Sequence, residues 1–178
     1  MCLLAVALVL TACSGNTEGK ANGGTDTSEN TPPKGQEGNE SGKISFTSQE
    51  TTDVLNSYLE IKDALVETDG KATKTAAQKL VSVMGETGGE LMNKIKFDAE
   101  HIGETEDTGH QRDHFNSLSD NVYKLVQASE SNGGKLYLQY CPMAFDNTGA
   151  YWLSNSSEIM NPYFGDQMLH CGKVEEEI

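Results

Sequence analysis

Apolar residues return at helical intervals through the middle of the chain. Val54, Leu55, Tyr58, Leu59, Ile61 and Leu65 follow Thr47-Ser48-Gln49-Glu50, where a hydroxyl stands three residues ahead of a carboxylate as in a capping box. The pattern predicts a first helix to about Asp69, with Gly70 as its stop. Ala76, Ala77, Leu80, Val81 and Met84 mark a second helix, ended by Gly85 and the Gly88-Gly89 pair. Leu91, Met92, Ile95, Ala99 and Ile102 mark a third, with Gly103 just beyond it. After an acidic loop from Glu104 to Gly109, a fourth carries Phe115, Leu118, Val122, Leu125 and Val126 and stops at Asn132-Gly133-Gly134. Four amphipathic helices joined by short glycine-containing loops imply an antiparallel bundle.

The period then changes. Leu136-Tyr137-Leu138-Gln139-Tyr140 alternates as a strand, Asp146-Asn147-Thr148-Gly149 reads as a turn, and Ala150-Tyr151-Trp152-Leu153 returns as the partner strand. Asn161-Pro162-Tyr163-Phe164-Gly165 reads as another turn. An isolated hairpin is marginal in water, so this segment must pack on the bundle, and its Trp and Tyr side chains are the natural contact. The fold class is therefore mainly α: an antiparallel four-helix bundle with a small C-terminal β-hairpin and irregular aromatic segment packed on it.

Upstream of the helices the pattern is different again. Residues 1–10 are almost wholly apolar and lead into Thr11-Ala12-Cys13-Ser14-Gly15. The run is too short to span a bilayer as an ordinary helix and has the character of a signal-peptide core. Leu10-Thr11-Ala12-Cys13 resembles the lipobox of bacterial lipoproteins, in which the cysteine becomes the new N-terminus and carries diacylglycerol. No Lys or Arg precedes the apolar run, which departs from the usual secretory pattern. From Ser14 to Gly42 the chain is mostly Gly, Asn, Thr, Ser, Glu and Pro, with almost nothing to bury, so it is expected to be a disordered tether reaching on the order of 30 Å. A buried N-terminal helix is the alternative, but such a helix would not run directly into a structureless tract. The expected organisation is a signal peptide over 1–12, a lipidated Cys13 with its tether over 13–43, and one helical domain over 44–178. The expected location is outside the cytoplasm, lipid-anchored on the periplasmic side or at the outer membrane.

The formal net charge of −14 argues against nucleic acid or anionic headgroups as partners, since both need clustered Lys and Arg. It suits a cation-attracting or simply well-solvated protein.

Of the four cysteines, Cys2 would leave with the signal and Cys13 would be consumed by lipid, leaving Cys141 and Cys171 for the mature fold. Cys141-Pro142-Met143 sets a thiol and a thioether two residues apart around a proline, which favours extended backbone with both side chains toward one face. Met168-Leu169-His170-Cys171-Gly172 brings a second thioether and thiol, with an imidazole beside them. Thiolate and thioether select Cu(I), and the same sulfurs accept Ag(I). The plainer reading is a Cys141–Cys171 disulfide, the default for two cysteines of an exported protein.

His101 falls in the last turn of the third helix, and His110 and His114 lie one turn apart near the start of the fourth. An antiparallel hairpin of those helices brings His101 and His114 to the same place. Two imidazoles with two thiolates could also close a tetrahedral Zn(II) shell. G-x-S-x-G, H-E-x-x-H and P-loop motifs are missing from the sequence, and Cys-Pro-Met lacks the C-x-x-C spacing of a redox centre, so an enzyme is the weaker class.

Leu59-Glu60-Ile61-Lys62-Asp63-Ala64-Leu65 and Gln111-Arg112-Asp113-His114-Phe115-Asn116-Ser117-Leu118-Ser119 are distinctive, as are Tyr140-Cys141-Pro142-Met143-Ala144 and Gly149-Ala150-Tyr151-Trp152-Leu153-Ser154. With Asn161-Pro162-Tyr163-Phe164-Gly165 and Met168-Leu169-His170-Cys171-Gly172, the chain from about residue 50 onward resembles a domain family of unknown function. That family is common in exported lipoproteins of Bacteroidetes-type bacteria and is also appended to periplasmic adaptor subunits of copper/silver efflux pumps. The resemblance implies a helical bundle associated with heavy-metal handling. It carries Cys141, Met143, Met168 and Cys171 over as sulfur ligands, with His101 and His114 at matching histidine positions. His110 and His170 have no counterpart in the pattern. The chain lacks the barrel and hairpin parts of an efflux adaptor, so a pump role of its own is not implied.

The expected function is a membrane-tethered, non-catalytic binder of Cu(I) or Ag(I), with Zn(II) as the other metal, that buffers the ion or passes it to efflux components. The alternative is an interaction module stapled by a Cys141–Cys171 disulfide, which an exposed patch of Tyr137, Tyr151, Trp152 and Tyr163 would favour.

Overall fold

The computed structural model describes residues 44–85 and 88–178. The expected signal peptide, lipidated Cys13 and tether, residues 1–43, fall outside the described residues. Four long helices follow in order: α1 (Gln49–Val66), α2 (Gly70–Met84), α3 (Glu90–Glu104) and α4 (Thr108–Gln127). Each packs on the next, and α1 also meets α4, which closes the bundle. Leu55, Ile61, Leu65, Leu80, Ile95, Ile102, Phe115 and Leu118 fill its interior. The mainly α class and the C-terminal hairpin agree with the sequence pattern. Among the described residues no helix is long and apolar enough to cross a membrane.

The helix ends differ from expectation where tertiary contacts intervene. Ser48, not Thr47, caps α1 by accepting from the Thr51 N–H at 3.2 Å, because the Thr47 hydroxyl instead donates to Asn132 Oδ1. Gly70 does not stop α1. The chain turns at Thr68, whose φ is +56°, and Asp69 caps α2 through the Ala72 N–H at 2.9 Å. Gly70 is the first residue of α2, and a Cβ there would overlap the Glu106 carbonyl oxygen. Its requirement is a close approach to the α3–α4 loop rather than a turn. Gly103 likewise lies inside α3, against Gln78 and Ala77. The acidic loop shortens to residues 105–107, because Asp107 caps α4 by accepting from the Gly109 and His110 N–H groups.

Beyond α4 the structure adds pairings that the hydrophobic pattern did not contain. Strand β1 (Ser45–Phe46) pairs antiparallel with β2 (Ser131–Gly133), so Asn132-Gly133 is strand rather than helix stop. Strand β3 (Tyr137–Cys141) is central to a three-stranded antiparallel sheet between β4 (Ala150–Ser154) and β5 (Lys173–Glu177). The β3–β4 register runs from Tyr137 opposite Ser154 to Cys141 opposite Ala150. β5 was not expected: its Lys-Val-Glu-Glu-Glu sequence is exposed throughout and carries no alternating signal.

The β3–β4 connection starts earlier than Asp146. Residues Ala144–Asn147 form a tight turn in which Phe145, Asp146 and Asn147 all have positive φ, 51° to 67°. Successive left-handed residues are costly for a side chain such as Phe. The turn is held by Gly149 N–H donating to the Ala144 carbonyl at 2.9 Å and by the Phe145 ring seated edge-on to Tyr163.

The sheet docks on the bundle through buried aromatics, Tyr58 stacking on Phe115 and Tyr163 lying against both Phe115 and Trp152. The Tyr58 hydroxyl sits within 2.8 Å of Ser119 Oγ on α4 and accepts the Leu153 N–H of β4 at 3.0 Å. Removing it by Tyr58→Phe strands the Leu153 N–H in the core. The variant should lose roughly 1–3 kcal/mol in urea unfolding, and unchanged stability would show that the hydroxyl does not tie sheet to bundle.

Candidate functional site

Two groups of chemically competent side chains are assembled, on different parts of the fold. The first is a thiol pair. Cys141 is the last residue of the central strand, fully buried, and its Sγ lies 3.1 Å from that of Cys171. Both are free thiols.

The loop carrying Cys171 is fixed from several sides. Buried Asn161 donates from Nδ2 to the Cys171 carbonyl at 2.7 Å and accepts the Tyr163 N–H at 2.8 Å. The Cys171 N–H donates to the Met168 carbonyl, which closes one turn between the two sulfur residues. Gly172, at φ +150°, is pressed against the Trp152 ring and the Tyr140 carbonyl, so a side chain there would push the loop off the sheet. Arg112 of α4 anchors the preceding turn, donating to the Pro162 and Leu65 carbonyls and to the Thr68 hydroxyl. Asn161 and Arg112 hold the thiol pair in place, and the sequence reading singled out neither for this task.

Met143 departs from the extended arrangement expected around Pro142. The strand ends at Cys141, Met143 takes a right-handed helical conformation, and its side chain is 47% exposed while Cys141 is buried. The alternation that would set both on one face is broken by the tight turn that follows. Met168 is half-buried beside the short 3-10 turn Gly165–Gln167. His170 is exposed and its Nδ1 bonds the Ile159 carbonyl.

The second group lies on the α3–α4 hairpin. His101 and His114 stack with ring centres 4.6 Å apart, as the hairpin geometry predicted. His110, one turn before His114, joins them with its ring 4.8 Å from that of His114. Asp98, nearly buried, accepts from Ser117 Oγ at 2.7 Å and from His114 Nδ1 at 3.2 Å. His101 Nδ1 donates to the Phe97 carbonyl one turn back at 2.9 Å. Among the described residues no three His, Cys, Asp or Glu side chains converge on a single metal position.

The fold is thus that of a helical-bundle domain with a small antiparallel sheet that presents a thiol pair and a histidine cluster. Residues 54–134 match a family model described as "Protein of unknown function (DUF3347)". The chain matches no curated protein and no solved structure. The matched stretch includes His101, His110 and His114 and ends before Cys141.

The hydrogen bond with Cys141, then burial, then the like charge of a Cys141 thiolate raise the Cys171 pKa to about 11. A raised thiol pKa lowers the thiolate fraction at neutral pH, and the thiolate is the nucleophile. In the reduced protein, alkylation of Cys171 by iodoacetamide, followed by peptide mass spectrometry, should be slow at pH 7. Its rate should climb about tenfold per pH unit without levelling before pH 10; a plateau near pH 8.5 would show that the two thiols do not share a proton.

Proposed function

We propose that this domain is a non-catalytic binder of a soft monovalent ion, Cu(I) or Ag(I). The observation that carries the reading is the pair of free thiols 3.1 Å apart, one buried and one at the surface of a pinned loop. Thiolates at such a site prefer soft ions; Met168 lies one turn from Cys171 in the same loop, whereas the exposed Met143 would have to swing in to add a donor. The half-exposed position of Cys171 gives a partner's ligands a route for exchange one donor at a time. With a lipid on Cys13 the domain would be held at the envelope, where it would buffer the ion or pass it to an efflux system.

Zinc is the less favoured ion. Two thiolates in a tetrahedral zinc shell stand about 3.75 Å apart at a Zn–S distance of about 2.3 Å and need further ligands to close it. The imidazoles that would complete such a shell are on the α3–α4 hairpin instead, whereas a soft monovalent ion is held by fewer donors; the thiols, 3.1 Å apart, have to part slightly for either ion.

The same 3.1 Å separation favours one second reading, the disulfide-stapled interaction module. That reading also wants an exposed aromatic patch, whereas Trp152 and Tyr163 are buried in the core and Tyr151 is 40% exposed.

Native mass spectrometry distinguishes the two. Full chain with Cys2→Ser and Cys13→Ser, reduced anaerobically and offered a slight excess of Cu(I) beside Zn(II), should retain copper and lose it when Cys141→Ser and Cys171→Ser are added. Because both thiols must give up their protons to bind the ion, the apparent Cu(I) affinity should rise steeply, by up to about a hundredfold per pH unit between pH 6 and 8. A metal-free mass, or copper retained without the two thiols, would reject the proposal. Prompt disulfide closure in air would then favour the staple.

A further inference from the structure

We propose that His101, His110 and His114 form a second metal site, independent of the thiol pair, for an imidazole-preferring divalent cation such as Zn(II) or Cu(II).

The orientation of the rings is the main argument. Carboxylates and carbonyls only accept, so Asp98 and the Phe97 carbonyl each fix a hydrogen on the Nδ1 that faces them. In the neutral imidazoles of His114 and His101 the lone pair is therefore on Nε2. A metal-bound histidine is typically held in this way, with one ring nitrogen donating to a carboxylate or backbone carbonyl and the other turned to the ion. Asp98 is itself fixed, nearly buried and bonded by Ser117.

Spacing is the second argument. Two imidazoles sharing a tetrahedral ion at about 2.0–2.1 Å have ring centres roughly 5 Å apart. The observed separations are 4.6 Å for His101 and His114 and 4.8 Å for His110 and His114. Convergence on one ion takes rotation of the exposed His110 side chain and small tilts of the other two rings that keep their Nδ1–H bonds, not movement of the helices. His110 is exposed and supplies the mobile third donor, and Phe97, 54% exposed and packed 4.2 Å from His101, covers one flank. Imidazole-only donors suit borderline divalent ions, whereas the sulfurs of the other site suit monovalent ones.

Co(II) is the probe that separates the two sites. The full chain, kept reduced, should take up one Co(II) with ligand-field absorption but no thiolate-to-cobalt charge-transfer band, and Zn(II) should displace it. His110→Ala and His101→Ala should each weaken binding at least tenfold, Asp98→Asn about 10–100-fold, and Cys141→Ser with Cys171→Ser should leave it unchanged. Asp98 is buried, so if its variant does not fold the exposed His110→Ala decides. No cobalt uptake would overturn the site, as would a charge-transfer band lost with the cysteines. An affinity indifferent to His101→Ala would also overturn it, since it would reduce the cluster to a one-turn chelate on α4.

Discussion

The placement of the thiol chemistry depends on a single buried hydroxyl. β4 is an edge strand, and the Leu153 N–H turns toward the bundle, where it would be an unpaired donor without the Tyr58 oxygen. The same oxygen is bonded to Ser119, so α1, α4 and β4 meet at one atom. Burial above all pushes the Tyr58 phenol far above its ordinary pKa, so it stays neutral and keeps both bonds. Once β4 is fixed, its register with β3 places Cys141, and β3, flanked by β5 on its other edge, has no freedom to slip.

A comparable constraint governs the other end of the molecule. Buried Gln111 directs Nε2 at the carbonyls of Ile102 and Thr105, left over at the end of α3, and at that of Gly70 at the start of α2. With Gly70 pressed on Glu106, the α3–α4 loop is held short and close. That closeness brings His101, near the end of one helix, onto His114, in the second turn of the next.

The helices were legible because each buries one face, and an apolar residue every third or fourth position writes that face directly into the sequence. Their ends were less so, since Thr47, Gly70 and Gly103 each have a local role by rule and a different one once a distant segment arrives. The short strands β1 and β2 and the exposed β5 left no period to read. In the site, the His101–His114 pair followed from hairpin geometry, and the Cys141–Cys171 pairing from counting the thiols that remained. The roles of Asp98, Asn161 and Arg112 were hidden even where their segments stood out, because a polar residue that orients a neighbour looks in sequence like any solvated one. Met143 was misplaced by local reasoning that carried the strand past Pro142, whereas it ends at Cys141 and the chain is already in right-handed backbone at Met143, ahead of the left-handed turn at Phe145.

The extent of the family match bears on how these two chemistries relate. Residues 54–134 contain the bundle helices and the histidine cluster, while Cys141, Met168 and Cys171 lie in the sheet and loop that follow. The bundle can shape the imidazole group from its own hairpin, with Asp98 and Phe97 also inside the matched stretch. The thiol pair needs both the sheet and the bundle, because Asn161 holds the loop on the sheet side and Arg112 of α4 holds it from the other. A change that loosens the sheet from the bundle, such as loss of the Tyr58 hydroxyl, therefore acts on the sulfur site directly and on the histidine cluster only through the stability of the helices.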